Sequence, residues 1–291
     1  MGNKEVRSSE KFLASNSSKF SFERFSSLFI IDFKEVLYSR WFLFYFVVFG
    51  FVLVGLGWAG WREGIYGFSG VGKFLASFVN ISFLLVPAFS LLPSSLSISS
   101  ARENLILEYV FSFPIKKIEF FLSKFISIFS GIILPPILIL PLFFFILKYD
   151  KGDFLLFFKI VFFLILFSFV FVSLGLLISV ASLSRLRAIS FALFFLFFFT
   201  VFSEVGVLSF ISLARVPNFA FILFILLNPA ETFRLAVISF FSQTLDVLGP
   251  FGLYIYYSFG EMMWIFFALS LFLMGVIFFF LAFVLFSKQK P

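Results

Sequence analysis

The stretch from residue 154 to residue 181 reads FLLFFKIVFFLILFSFVFVSLGLLISVA, with Lys159 as its single charged residue. About 20 apolar residues in a helix are enough to cross the hydrocarbon core of a bilayer. Because lipid offers no hydrogen bonds to the backbone, a spanning segment must satisfy its own N–H and C=O groups, as a helix does. This stretch therefore predicts an all-α membrane protein.

Similar apolar runs recur along the chain and predict a polytopic protein with six transmembrane helices. Of the 291 residues, 62% are hydrophobic and 13% are charged, about half the charged fraction of soluble domains. The predicted spans form one transmembrane domain over residues 41–286 and cover about residues 41–59, 74–98, 125–147, 154–181, 188–205 and 262–286.

The positive charges predict the orientation of these spans. With the N-terminus inside, the inner segments hold fifteen of the 22 Lys and Arg residues, and the outer segments with their margins hold seven. An excess of Lys and Arg marks the cytoplasmic side. We therefore expect both termini, including the tail 287–291, on the cytoplasmic side of the cell inner membrane. The net charge of +7 then faces anionic lipid, and no nucleic-acid partner is expected.

The first forty residues predict two different segments. Residues 1–19 are rich in Ser, Lys and Asn, and we expect them to be disordered and cytoplasmic. In residues 20–40, Phe22, Phe25 and Phe29 begin an apolar row that recurs every three or four positions, with charged residues on the other side. This spacing predicts an amphipathic helix in the membrane interface.

The segment 99–124, between the second and third predicted spans, is the most specific part of the chain. From residue 102 to residue 124 it reads RENLILEYVFSFPIKKIEFFLSK, which is too charged to span a membrane and too apolar for a plain linker. The apolar residues predicted to dock on a partner are Leu105, Leu107, Tyr109 and Phe111, with Arg102, Glu103 and Glu108 setting the register. The alternative is a short interfacial helix without a partner.

The outer segment 206–261 contains a local helix-start pattern. Asn228 can cap a helix, Pro229 suits its first position, and Glu231 stands where a capping-box carboxylate belongs. Arg234 follows Glu231 by three residues, so an ion pair on one helix face is predicted. These residues and Glu261 are also candidates for an extracytoplasmic pathway or partner site, because charged groups at a membrane boundary often line pathways.

Composition argues against metal and nucleotide sites in this chain. There is no Cys and no His, which excludes sites built on those residues. Met262 and Met263 carry soft thioethers suited to Cu(I), but neighbours on a helix point about 100° apart, and we interpret them as lipid-facing. Gly67–Lys73 has phosphate-loop spacing, but Phe74 stands where a Ser or Thr should hold Mg²⁺.

The charged loop resembles that of the permeases of type 2 ABC transporters. The matching residues are Arg102-Glu103, Leu107-Glu108, Ser112-Phe113-Pro114 and Lys124; Leu105-Ile106 replaces the Gly-Thr pair usual there. The resemblance implies six spans, an interfacial N-terminal helix and a coupling helix. It also implies a homodimer with two cytoplasmic ATPase subunits that bind ATP and Mg²⁺. The implied coupling residues are Arg102, Glu103, Leu107, Glu108, Ser112 and Pro114.

The run N-P-x-E-x-F-R at Asn228–Arg234 is similar to the permeases of the nitrous-oxide-reductase maturation system. That resemblance implies a periplasmic partner and a role in assembling the copper centres of the reductase, by moving copper or a sulfur species. The alternatives are an exporter of lipid, polysaccharide or drug, a non-transporting scaffold, and an intramembrane enzyme. Against an enzyme, no predicted span holds a carboxylate pair.

Overall fold

The computed structural model describes residues 21–63, 70–146, 151–212, 225–240 and 263–289, and within these ranges it is helical with no strand. The all-α prediction is confirmed for this part of the chain. The predicted disordered segment 1–19 lies outside it. The helices are α1 (Phe22–Leu37), α2 (Arg40–Glu63), α3 (Gly70–Glu103), α4 (Ile106–Phe111), α5 (Lys117–Ile146), α6 (Lys151–Ala181), α7 (Arg185–Ser212), α8 (Pro229–Ile238) and α9 (Met263–Lys288).

The chain is a multi-pass membrane protein by the length and composition of its helices. Four described stretches are long and apolar enough to cross a membrane, namely Phe78–Glu103, Lys117–Pro141, Phe157–Ala181 and Met263–Lys288. A fifth is added if α1 and the first part of α2, which meet at a bend of 58°, count as one span. The four coincide with the second, third, fourth and sixth predicted spans.

Helix α6 lies at the centre and packs most extensively against α3 and α9. Small residues bring these helices close together. A Cβ on Gly175 would lie 1.8 Å from Ser94 Oγ of α3, and a Cβ on Gly275 of α9 would lie 2.2 Å from the Phe169 ring of α6. In lipid, helices associate by close packing of small residues rather than by the hydrophobic effect, so these contacts position α3 and α9 on α6.

Helix α1 joins α2 at a sharp corner formed by Ser39. The Ser39 hydroxyl donates to Val36 O at 2.7 Å and accepts from the Phe42 N–H at 3.1 Å. It thus ends one helix and caps the next, which satisfies backbone groups that a bend would otherwise leave unpaired. Helix α1 lies along α5.

The loop between α3 and α5 is shorter than predicted. We predicted a segment of residues 99–124, but α3 continues to Glu103 and α5 begins at Lys117. The prediction followed hydropathy, which marks where charged residues begin, whereas a helix ends where its hydrogen bonds end. Ser97 and Ser99 donate to carbonyls three and four residues earlier in α3, so polar residues there remain helical.

Candidate functional site

The loop that joins α3 to α5 begins at a break in the backbone. Leu105 has φ 59° and ψ 17°, and it is the single non-glycine residue with positive φ among the described residues. This left-handed conformation costs most residues about 1–2 kcal/mol. The chain leaves α3 and enters α4 through this left-handed residue.

Two charged residues at the end of α3 cap the turn between α6 and α7. Arg102 Nη1 donates to Ser182 O at 2.7 Å, and both terminal nitrogens of Arg102 lie 3.4 Å from Val180 O. Glu103 Oε2 accepts from the N–H of Arg185, the first residue of α7, at 2.8 Å. The cation lies at a helix C-terminus and the carboxylate at a helix N-terminus, as the helix dipoles favour.

The C-terminal end of α9 is hydrogen-bonded to Arg102 and to the same turn between α6 and α7. Arg102 Nη2 donates to Gln289 Oε1, and Gln289 Nε2 donates to Val180 O at 2.9 Å. Lys117, the first residue of α5, donates from Nζ to Ser287 O at 3.0 Å and to Gln289 O. We call Arg102, Glu103, Lys117 and Gln289 the polar clamp. It joins α3, α5, α6, α7 and α9 beside a cavity of about 240 Å³.

One face of α4 packs into the protein. Leu107 is 5% exposed, and the Phe111 ring lies 5.7 Å from Phe120 and 6.2 Å from Phe286 of α9. Residues four apart share a helix face, so Leu107 and Phe111 turn inward together. The sequence interpretation placed both among the docking residues. In this structure Leu107 instead anchors the loop and is not accessible to a partner.

The opposite face of α4 and the turn after it are exposed. Tyr109 is 67% exposed, and its ring meets Phe113 edge to face at 5.3 Å. We call the exposed residues of this surface the loop face; they are Leu105, Ile106, Glu108, Tyr109, Ser112, Phe113 and Pro114. Leu183, in the turn between α6 and α7, and Leu186, in the first turn of α7, are also exposed. Exposed apolar surfaces of this kind contact either a partner protein or the membrane.

Glu119 of α5 is a buried residue that sequence reasoning missed. Its Oε2 accepts from the Lys116 N–H at 3.0 Å, and its Oε1 accepts from the Ser21 N–H at 2.9 Å and from Arg24 Nη2 at 3.2 Å. Arg24 also donates to Pro114 O at 2.9 Å, so α1 is tied to the loop. A carboxylate at the third position of a helix is half of a capping box. The other half is normally Ser or Thr at the N-cap, and because this chain has Lys116 there, the capping-box pattern is not recognisable in the sequence.

A second link between α1 and α5 involves Lys124. Its Nζ lies 2.8 Å from Asp32 Oδ1 and 3.1 Å from Glu35 Oε2, and the Ser123 hydroxyl donates to Asp32 Oδ2. Asp32 was missed although it interrupts the apolar row of α1. A charged residue in such a row signals a buried partner, because an unpaired charge is costly to bury.

The run Asn228–Arg234 forms the predicted helix start. The Asn228 side chain accepts from the N–H groups of Ala230 at 2.9 Å and Glu231 at 3.4 Å, and Pro229 is the first residue of α8. Arg234 Nη1 lies 4.0 Å from Glu231 Oε1. The predictions that Asn228 caps this helix and that Glu231 pairs with Arg234 are confirmed. The Asn228 N–H donates to Ile225 O at 3.0 Å and not to Glu231 as in a capping box.

The same run lies inside the helix packing. Asn228, Pro229 and Glu231 are buried, and Phe233 stacks on Phe167 of α6 at 4.2 Å. Arg234 is half-buried and keeps more exposure than these residues. Pathway or partner contacts by this run therefore fall mainly to Arg234 in this conformation.

The remaining candidates concern metal and phosphate. Glu261 and Met262 lie outside the described residues. Met263 begins α9 and is buried in the helix packing, so its interpretation as lipid-facing is wrong. The described ranges hold no group of three or more Asp and Glu residues placed to hold a metal ion. Residues 67–69 are also outside the description, and Gly70–Lys73 forms the first turn of α3 rather than part of a loop.

No protein-family model matches the chain, and a search of curated proteins gives no match either. The functional assignment thus depends on the loop geometry, the charge pattern and the two short motifs.

Proposed function

We propose that this chain is the permease subunit of an ATP-driven ABC transporter, with six spans and both termini in the cytoplasm. The observation that carries this proposal is the loop face. It is an exposed apolar surface on a short helix, fixed directly between the ends of α3 and α5. A membrane protein that contains no motor of its own needs such a surface to receive force from one.

The proposal depends on the loop being stiff enough to transmit a push. The polar clamp attaches it to the ends of α6, α7 and α9, and Glu119 attaches it to α1. Leu107 anchors its inner side. Movement of α4 therefore moves helix ends instead of being absorbed by the connection. ATP and Mg²⁺ bind to the two ATPase subunits, and a second copy of this chain completes the pathway.

By exposure and contacts, the implied coupling residues fall into two groups, to which we assign different roles. Glu108, Ser112 and Pro114 lie on the loop face, where an ATPase can touch them. Arg102, Glu103 and Leu107 face their own protein and position that surface. The matching ATPase surface is an apolar groove that admits Tyr109, with a basic residue opposite Glu108.

A single-cysteine experiment tests the orientation first. Because the chain has no Cys, Tyr109→Cys carries a unique thiol. We expect a membrane-impermeant maleimide to leave it unlabelled in intact cells and to label it after the inner membrane is opened. Asp150→Cys, in a predicted outer turn, is the control that should react in both cases. Labelling of Tyr109→Cys in intact cells rules out coupling to a cytoplasmic ATPase.

A cross-linking experiment then identifies the partner. A benzoylphenylalanine at Tyr109 should form an adduct with an ATPase carrying a phosphate loop in native membranes. The same group at Phe111, which packs against Phe120 and Phe286, is the matched control and should cross-link within the chain. Only lipid or intrachain adducts at both positions would contradict the proposal.

For the transported species we propose copper or a sulfur species that serves copper-centre assembly in nitrous oxide reductase. The support is the Asn228–Arg234 run alone, with Arg234 as the residue that a periplasmic partner can reach. Deleting the chain from a host that makes the reductase should lower the copper content of that enzyme. Arg234→Ala should do the same if the run serves this role, and Lys288→Ala, on the tail, should not. Full copper loading after deletion refutes the maturation role and leaves the transporter proposal standing.

A further inference from the structure

A second cavity opens between α1, α2, α3 and α5 and borders the loop face at Ile106. Its volume is about 310 Å³, within the range of small-molecule sites, about 300–1,000 Å³. It extends along α3 from Phe89 to Ala101, which at 1.5 Å per residue is about 18 Å of helix. A cleft this long and narrow suits a chain-like ligand better than a compact one.

One end of the cavity is charged and carries unused hydrogen-bonding capacity. Lys124, Asp32 and Glu35 all line it, and together they carry one net negative charge. Lys124 has three N–H donors, of which two are directed at the carboxylates of Asp32 and Glu35. The Glu35 side chain is 71% exposed. This end therefore offers a donor beside an accessible acceptor.

Apolar side chains and a few serines line the rest of the cavity. Phe89, Ile128 and Ile132 line it. Tyr45 also lines it and is 1% exposed, and its hydroxyl has no hydrogen-bond partner in the described part of the protein. Buried hydroxyl groups are normally paired because leaving one unpaired is unfavourable. The hydroxyl oxygen is itself buried, so it does not face the open part of the cavity.

We propose that this cavity binds a phospholipid with a phosphoethanolamine headgroup. The phosphate accepts from Lys124, the ammonium donates to Glu35, and one acyl chain lies along Phe89 and Ile132. The net negative charge at the mouth disfavours an anionic headgroup. A choline headgroup has no N–H to offer Glu35, so the carboxylate selects a primary amine.

Native mass spectrometry of the full chain tests the site. The protein, freed of lipid in detergent, is mixed with equal amounts of dioleoyl phosphatidylethanolamine, phosphatidylcholine and phosphatidylglycerol. For an exposed ion pair we expect about a two- to fivefold preference for phosphatidylethanolamine. Glu35→Gln should abolish that preference. Glu23→Gln, which removes an exposed carboxylate of α1 outside the cavity, should keep it.

A second variant tests whether the acyl chain occupies the cleft. Ser97 lines the cavity and is half-buried, so Ser97→Phe fills it and should lower retention of all three lipids. If Ser97→Phe does not fold, Ser100→Leu fills the same cleft. Equal retention of the three lipids, a preference for phosphatidylglycerol, or a preference that survives Glu35→Gln overturns the proposal. Unchanged retention in a folded cavity-filling variant also overturns it.

Discussion

Replacing Gly175 of α6 by alanine tests the closest helix contact in the fold. The added Cβ would lie 1.8 Å from Ser94 Oγ, 2.8 Å from Ser94 Cβ and 3.1 Å from the Leu91 carbonyl oxygen. Rotating the Ser94 hydroxyl relieves only the first of these contacts. The other two require α3 and α6 to separate by about 0.6 Å, the difference between 2.8 Å and the 3.4 Å at which ordinary contact begins.

The magnitude follows from two opposing contributions. Overpacking a tight contact costs about 1–3 kcal/mol, and alanine in place of glycine inside a helix stabilises it by up to about 1 kcal/mol. We therefore expect a net loss of at most about 3 kcal/mol in the free energy of unfolding, and a loss of about 1–3 kcal/mol relative to a Gly→Ala control without the close contact. Gly55→Ala of α2 is the matched control, because its Cβ meets nothing within 4 Å and only the helix contribution remains.

The assay is reversible unfolding of the purified chain by SDS in mixed micelles. Ser94→Gly combined with Gly175→Ala should recover most of the lost stability, because it removes both atoms of Ser94 that meet the new methyl group. Neighbouring residues are expected to be non-additive in this way. Equal stabilities of Gly175→Ala and Gly55→Ala would show that α3 and α6 are not in close contact at this point.

Four further substitutions have defined outcomes. Leu105→Gly should raise the free energy of unfolding by about 0.5–1 kcal/mol in the SDS assay, because it relieves the left-handed conformation. Glu119→Gln should weaken the attachment of α1 by about 1–3 kcal/mol, measured as faster amide exchange in residues 22–37. Glu103→Ala should uncouple ATP turnover from transport in the reconstituted complex while membrane insertion stays intact. Tyr45→Phe should leave the lipid-free protein as stable as the original or more stable by up to about 1 kcal/mol, because the lost hydroxyl is unpaired.

The controls for these variants come from neighbouring positions. Ile106→Gly, at the first residue of α4, should lower the free energy of unfolding by about 0.5–1 kcal/mol, whereas Leu105→Gly should raise it. Glu23→Gln should leave amide exchange in α1 unchanged. A Glu103→Ala complex with wild-type coupling refutes the positioning role of that residue. A Tyr45→Phe protein that is markedly less stable without lipid shows that its hydroxyl has a partner inside the protein.

Apolar length alone predicts most of the helical framework. Residues 154–181 were expected to be one helix, and α6 spans Lys151–Ala181. The prediction errors occur at helix ends, where serine residues that resemble loop residues remain part of the helix. Ser97 and Ser99 look like loop residues in a hydropathy plot, but each hydroxyl bonds a carbonyl of its own helix. Polarity and helix termination are separate properties, and a sequence reports the first more directly.

Hydrophobic spacing could not predict which side of α4 faces inward. Leu105 and Tyr109 are four residues apart, and so are Leu107 and Phe111, so both pairs satisfy the pattern of a buried helix face. The left-handed Leu105 sets how α4 leaves α3, and the contacts of Phe111 with Phe120 and Phe286 then select its inner face. The second aromatic partner lies in α9, far away in the sequence.

Glu119 and Asp32 were missed in the sequence analysis because their partners, too, lie far away in the sequence. Arg24 and Glu119, like Asp32 and Lys124, pair across more than ninety positions of sequence, and no local pattern identifies a partner at that separation. Charge-pair spacing along a single helix did identify Glu231 and Arg234, because that pair is local. Long-range pairs are nevertheless the ones that tie the loop to the rest of the molecule.

These long-range pairs decide what the loop can do. A loop held only by its two chain ends would bend when pushed, and its movement would be lost before reaching the helices. Here Arg102 and Glu103 cap two different helices, Lys117 holds the end of a third, and Glu119 holds α1. A push on Tyr109 must therefore displace all of them or break charge-assisted bonds, each of which contributes about 1.5–3 kcal/mol. Weakening the clamp should thus impair coupling even though the loop face itself is unchanged.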